Sequence, residues 1–339
     1  MRWFAVVSVF VLLFLACRNQ SEFQDKPASI RVPARFPPIN FPKGNESTEL
    51  RIALGRVLFY DTRLSSNDKV HCGTCHVLSV AFTDSRSTSP GISGIPGKRN
   101  APTLANVAWM PRFMMEGGVP SLETQALAPL HDTLEMGQNM MLAVAKLNED
   151  EKLRALSKAA YGRDSIDPYV ITRALAAFQR TFVSGDSRYD RYLLGMKDQM
   201  NEQELRGMEL FFSERTSCGD CHQDVFMTDF GYYNIGLYVE YADPGKARAT
   251  HEPSDIGKFK TPTLRNIALT GPYMHDGSMW SLEEVIAFYN KGGESHANKD
   301  ERIRPLGLNE DEQKDLLAFL KTLTDWNFVQ NEHLLPLSR

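Results

Sequence analysis

The sequence predicts a mainly α-helical chain built as two similar halves, and three observations carry that expectation. The first is helical punctuation. Ser281 stands three residues before Glu284, a capping box that opens a helix running through Tyr289. Asn309 and Glu312 open another, whose Leu316, Leu317, Leu320 and Leu323 form one apolar stripe. Residues 168–183 put Val170, Ala174, Leu175, Phe178 and Phe182 on one side. The second observation is that no alternating apolar run bounded by hairpin turns stands out. The third is a repeat: residues 100–108 (NAPTLANVA) recur at 260–268 (KTPTLRNIA). The register of 160 (Pro102 to Pro262) continues without a gap from 114–117 to 274–277 and from 121–123 to 281–283. Upstream, residues 54–59 (LGRVLF) are echoed by 205–211 (LRGMELF).

Taken in order, residues 1–17 read as a signal peptide. Met1 and Arg2 precede a nearly continuous apolar stretch at 3–16, too short to cross a bilayer comfortably. Cys17 follows Phe14-Leu15-Ala16, a loose lipobox with Phe14 in the slot usually held by Leu, so a lipid anchor at Cys17 is expected. An ordinary signal in which Cys17 is incidental is the alternative. Residues 18–48 read as a tether, polar and proline-containing up to Lys43. Two domains follow, at 49–200 and 201–339. The whole chain of 339 residues has room for both, and 42% hydrophobic with 24% charged residues describes a soluble globular body. A net charge of −4 gives no reason to expect nucleic acid as a partner.

Each half carries one Cys-x-x-Cys-His run, Cys72 to His76 and Cys218 to His222. Two thiols at this spacing form thioethers to the vinyl groups of a haem, and the adjacent His ligates its iron. Two disulfides, or one four-thiolate zinc site, are the other uses of four cysteines; neither accounts for a His directly after both pairs. Two covalent haem c groups are therefore expected, in two cytochrome c-like domains related by internal duplication. Export to the periplasm suits this cofactor. The repeat also separates the halves. Tyr289, eight residues into its helix, falls on Pro129. A phenolate oxygen can bind ferric iron, whereas proline offers no side-chain donor, so one iron is expected closed and the other open.

Further motifs, in order, resemble the bacterial dihaem cytochrome c peroxidase superfamily, which includes MauG. They are residues 58–65 (LFYDTRLS), 99–103 (RNAPT), 122–126 (LETQA), 134–137 (LEMG), 270–277 (TGPYMHDG) and 281–284 (SLEE). The resemblance runs from about Leu54 to Thr324. It implies a peroxidatic N-terminal haem and an electron-relaying C-terminal one. Glu135 then matches the active-site glutamate, Gln125 the distal glutamine and Pro129 the distal proline. A carboxylate above an open iron can move a proton between the two peroxide oxygens, promoting heterolytic cleavage. It also implies calcium between the domains, through Asn100, Thr270 and Pro272. The expected partners are hydrogen peroxide and a small cytochrome c or cupredoxin as electron donor, and a homodimer is compatible with the resemblance.

Departures from the family pattern choose a branch. Tyr289 replaces the usual Met on the relay haem, with Met279 the other candidate ligand, and residues 77–99 contain no His that could close the first iron. Both favour a MauG-like site. Met115 stands where an inter-haem Trp is usual, with Trp109 six residues earlier, and Thr216 replaces a surface Trp two residues before Cys218. Both weaken long-range oxidation of a partner. His71 reads as an exposed flank, and His275 as a neighbour of the second haem. The expected activity is thus reduction of hydrogen peroxide. A MauG-like oxidase acting on a protein or organic substrate, and a non-catalytic electron-transfer cytochrome, are the alternatives.

Overall fold

The computed structural model describes residues 25–337. Cys17, the apolar stretch before it and the signal expected at 1–17 lie outside the described residues. Helices dominate, in the order α1 (Glu49–Phe59), α2 (Cys72–Cys75), α3 (Leu122–Gln125), α4 (Leu127–His131), α5 (Met140–Asn148), α6 (Glu151–Tyr161) and α7 (Pro168–Gln179). Then follow α8 (Arg188–Leu193), α9 (Glu202–Phe211), α10 (Ala247–Thr250), α11 (Leu282–Lys291), α12 (Glu310–Lys321) and α13 (Trp326–Val329). Sheet among the described residues is one antiparallel pair, β1 (Tyr232–Tyr233) with β2 (Phe259–Lys260). No helix is long and apolar enough to cross a membrane among the described residues.

The expected start signals operate. Ser281 accepts from the Glu284 amide, and Asn309 from those of Asp311 and Glu312, each within a capping box. Asp167 caps α7, with Pro168 at its first position, where the missing N–H costs nothing. That helix stops at Gln179, short of the expected Val183. The Phe182 carbonyl turns away to accept from the Asn106 amide, and Asn106 Nδ2 donates to the Ser184 carbonyl at 2.9 Å.

Two helix pairs frame the molecule. α1 crosses α7 at Gly55, where a methyl group would overlap the carbonyl oxygen of Ala174. α9 crosses α12 at Gly207, against the carbonyl of Asp315 in the same way. In both crossings glycine lets the backbones meet. The first core gathers Leu54, Leu58, Phe59, Phe82, Phe178 and Phe182, with Phe82 and Phe182 stacked at 4.0 Å. Each such fully buried ring contributes roughly 1.5–3 kcal/mol. The second core gathers Phe211, Ile286, Leu316, Phe319, Leu320 and Leu323, together with Tyr189 and Met200.

Two segments cross between these cores. α13 returns to the first, burying Phe328 and Val329 there. Of the 18–48 segment read as a tether, the described part lies along the body. Phe36 packs edge-on against Trp109 and Phe226, rings of opposite halves, at 5.3 and 5.0 Å.

A buried polar junction completes the seam. Asn106 and Asn266, equivalent in the repeat, both sit at φ near +60°. Asn266 donates to Ser184 Oγ at 2.9 Å and accepts from the Asp325 amide at 2.8 Å. Asp325 in turn accepts from the amides of Gly185 and Asp186.

Candidate functional site

Both Cys-x-x-Cys-His runs open into one continuous cavity of about 1760 Å³. No disulfide joins the four cysteines of these runs. Among the described residues, no three His, Cys, Asp or Glu side chains converge as a metal cage. Burial pushes the Cys72 thiol up to about 12 and that of Cys221 to about 11, the opposite of what thiol redox chemistry needs.

The two histidines are prepared alike. His76 Nδ1 lies 2.8 Å from the Phe82 carbonyl, and His222 Nδ1 lies 3.1 Å from that of Met227. A carbonyl only accepts, so Nδ1 carries the proton and Nε2 keeps its lone pair for a metal. Burial holds both imidazoles below the ordinary histidine range, hence neutral.

The repeated Pro-Thr-Leu segment supports these loops. Thr103 Oγ1 donates to the Ala81 carbonyl, and Thr263 Oγ1 to that of Phe226, both at 2.6 Å. Each hydroxyl also accepts from the amide two residues on. Paired thiols, a neutral imidazole with a free Nε2 and a large cavity beside each motif fit two haem c groups.

The rest of the cavity differs between its two ends. α11 is continuous, and Tyr289 in its last turns lines the wall. Its hydroxyl makes no hydrogen bond among the described residues, and burial beside Cys218 and Cys221 raises the phenol. Met279, the other candidate ligand, does not line the cavity; its backbone pairs with Tyr273 instead. In the first half the equivalent helix is split into α3 and α4. Pro129 has no N–H to offer the Gln125 carbonyl, and both residues line the cavity. Gln125 Nε2 is turned toward Met114 Sδ at 3.9 Å. Glu135 lines the same end, its carboxylate free of protein hydrogen bonds among the described residues. Although accessible through the cavity, it is hemmed in by protein. Burial, then the charge of Asp132, raise it above the ordinary carboxylate range.

Asn100, Thr270 and Pro272 lie on the cavity wall at the seam. Asn100 Nδ2 donates to the carbonyls of Arg86 and Ser87 at 2.8 and 3.3 Å, and its amide donates to the His275 carbonyl. The Asn100 Oδ1 and the carbonyls of Thr270 and Pro272 accept no hydrogen bond among the described residues, a neutral oxygen set that suits a hard cation.

Several neighbours were not legible as site residues. Arg99 of the first half pairs with Asp243 of the second at 2.6 Å and with Glu116. Lys260 Nζ reaches across to the Arg112 carbonyl at 2.9 Å, and burial lowers its amine to about 8. His275 stacks on Phe259 at 4.0 Å. Trp109 stays outside the cavity, its indole N–H donating to the Pro37 carbonyl. His71, expected as an exposed flank, is half-buried with its ring against Tyr60 at 5.6 Å.

Known proteins resemble this chain over most of its length. Residues 49–198 match the di-haem cytochrome c peroxidase (CCP_MauG) family. The methylamine utilization protein MauG of Methylorubrum extorquens is 36% identical over 310 residues, 90% of this chain and 86% of that one. The cytochrome-c peroxidase IdrP1 of Denitromonas iodatirespirans is 34% identical, covering 85% of both chains. A MauG-like protein associated with microbial copper homeostasis superposes with a TM-score of 0.88 at 37% identity, over 92% of this chain and 100% of its own. With two haem-attachment motifs on one cavity and relatives of this extent, the chain belongs to the dihaem cytochrome c peroxidase and MauG family of oxidoreductases.

Proposed function

We propose that the protein reduces hydrogen peroxide at the haem held by Cys72, Cys75 and His76. Electrons enter through the haem held by Cys218, Cys221, His222 and Tyr289. The observation that carries this reading is the asymmetry of the cavity. Glu135, Gln125 and Pro129 share one end, and at the other lies the Tyr289 phenol, without a hydrogen-bond partner among the described residues. The bound haem supplies a redox-active iron. Glu135 takes a proton from one peroxide oxygen and returns it to the other, a role its raised pKa suits. Gln125, whose amide has only a weak sulfur partner among the described residues, orients the peroxide.

The same reading assigns Asn100, Thr270 and Pro272 to a calcium ion, 49–200 and 201–339 to two duplicated haem domains, and the donor to a small cytochrome c or cupredoxin. It puts the protein in the periplasm, anchored through Cys17, and leaves a homodimer as a matter for sedimentation. The test is steady-state turnover of the holoenzyme with peroxide and several reduced donors. Glu135→Gln is expected to lower it by about 10²-fold or more; undiminished turnover removes Glu135 from the mechanism.

A second reading, MauG-like oxidation of a protein or organic substrate, is favoured by Tyr289 together with the 36% identity to MauG. A long-lived oxidised state that reduced cytochrome barely discharges would select it. Two low-spin haems resistant to cyanide would instead mark a simple electron carrier.

A further inference from the structure

The wall of the cavity at the seam carries an aromatic cluster that the peroxide chemistry above does not use. Phe259 and His275 are stacked at 4.0 Å and 18°. Tyr241 lies 6.4 Å from Phe259 and 6.3 Å from His275, and Tyr238 lies 5.8 Å from Tyr241 and 6.2 Å from His275. All four line the cavity that receives both haem motifs. His275 is also tied to the first half, since its carbonyl accepts from the Asn100 amide at 2.9 Å.

Within this cluster Tyr238 is set apart by its hydroxyl, which donates to Asp276 Oδ2 at 2.5 Å. That is the length of a charge-assisted O–H···O⁻ bond. Burial alone would raise the Asp276 carboxyl. Hydrogen bonds from Tyr238 and Ser278, and the nearby His275 ring, bring it below the usual range, so it stands ionised as an acceptor.

We propose that Tyr238 is a redox-active residue that holds an oxidising equivalent as a neutral phenoxyl radical, with Asp276 as its proton acceptor. The proposal rests on the reading that peroxide oxidises the haem site. Peroxide takes two electrons and two protons to give two waters. Tyr238 returns one electron to the oxidised site; its O–H bond breaks and the proton passes along the existing hydrogen bond to Asp276 Oδ2. An external one-electron donor, with the proton handed back from Asp276, restores the phenol. The neutral product matters physically. Removing an electron without the proton would leave a phenol cation in a partly buried site, whereas the transfer merely exchanges one neutral ring and one carboxylate for a radical and a carboxylic acid.

The alternatives fit less well. Tyr241 donates to the amide oxygen of Asn234 at 3.0 Å, which is no proton acceptor. Tyr233 does donate to a carboxylate, Asp229 Oδ2 at 2.7 Å, but the Arg302 guanidinium lies 4.4 Å over its ring and opposes electron loss. Position favours Tyr238 as well. It is half-buried, and the next residue, Val239, is 61% exposed, so the radical would stand one residue from solvent and an external donor.

The test is electron paramagnetic resonance of the holoenzyme, freeze-quenched after one equivalent of hydrogen peroxide, with ring-deuterated tyrosine to identify the radical. A tyrosyl signal that is lost in Tyr238→Phe, kept in Tyr233→Phe and reduced in Asp276→Asn is the expected result. Tyr238→Phe keeps the ring and its packing, and an unchanged resting haem spectrum certifies its fold. Haem absorption that responds to peroxide without any tyrosyl signal, or with one that survives in Tyr238→Phe, overturns this proposal alone. Haem absorption that does not respond to peroxide overturns the peroxidase reading and this proposal with it.

Discussion

Glu135 shows how one side chain's surroundings set its chemistry. Burial and the Asp132 charge both disfavour its ionised form. As a base it must be ionised, so peroxide turnover is expected to fall as pH drops through a value above the ordinary glutamate range of about 4.3. Asp132→Asn removes one of the two causes. It should move that acid limb to lower pH in a pH–rate profile, whereas an unmoved limb would assign the titration elsewhere. At the opposite end, Tyr289→Phe removes the only side-chain oxygen at that position and keeps the ring. The ferric spectrum of the His222 haem is expected to change and that haem to bind added cyanide. A spectrum identical to wild type would exclude Tyr289 as ligand. Residue types at these positions could be read from the motifs. The hydrogen bond fixing each imidazole could not, because Phe82 and Met227 contribute backbone carbonyls, and every residue has one.

At the scale of elements, α1–α7 and α9–α12 are held by backbone proximity as much as by side chains. Gly→Ala inside a helix ordinarily stabilises by about 0.5–1 kcal/mol. At Gly55 and Gly207 the added methyl would meet the carbonyl of Ala174 or Asp315, and such overpacking costs about 1–3 kcal/mol. Both Gly55→Ala and Gly207→Ala are therefore expected to be net destabilising, read as a lower urea midpoint of the holoprotein; a raised midpoint would mean the helices can separate freely. Caps and apolar stripes made these helices legible. Their crossing points were not, since a glycine in a helical pattern looks like a weak position until its neighbour is known. The split of α3 from α4 belongs to the same scale. Pro129 was visible, but its effect on the helix matters only because that helix covers the Glu135 end of the cavity.

The whole molecule depends on the seam between halves. Arg265 and Asp190 form a doubly hydrogen-bonded pair at 2.8 Å, both buried, with Arg265 also over the Phe36 ring at 4.9 Å. Burial alone would raise the Asp190 carboxyl, but the Arg265 and Ser187 hydrogen bonds more than offset it and hold it below the ordinary carboxylate range. A carboxyl depressed in the folded state contributes stability that is complete above its unfolded value. The contribution is lost as pH falls through the folded one. Asp190→Asn strands the buried guanidinium and is expected to cost about 3–5 kcal/mol at neutral pH. The penalty should shrink in acid below the unfolded carboxyl's value, where the wild-type contribution is progressively lost. Denaturant titration at pH 7 and pH 3 checks this, and a penalty independent of pH would show that charge pairing is not the cause.

By itself the sequence determined the local chemistry. Two attachment motifs, their histidines and the capped helices are encoded within short windows, where spacing and residue type suffice, and the 160-residue repeat adds the Tyr289/Pro129 asymmetry. Only the tertiary structure decided that the two motifs share one cavity. It alone put Tyr238 on Asp276, folded the 25–48 segment between Trp109 and Phe226, and closed the seam through Asn106, Asn266, Ser184 and Asp325. Those contacts join residues far apart in the chain through single hydrogen bonds and ring edges. Such contacts leave no periodic trace in a sequence, because their energy depends on where the backbone brings the partners together.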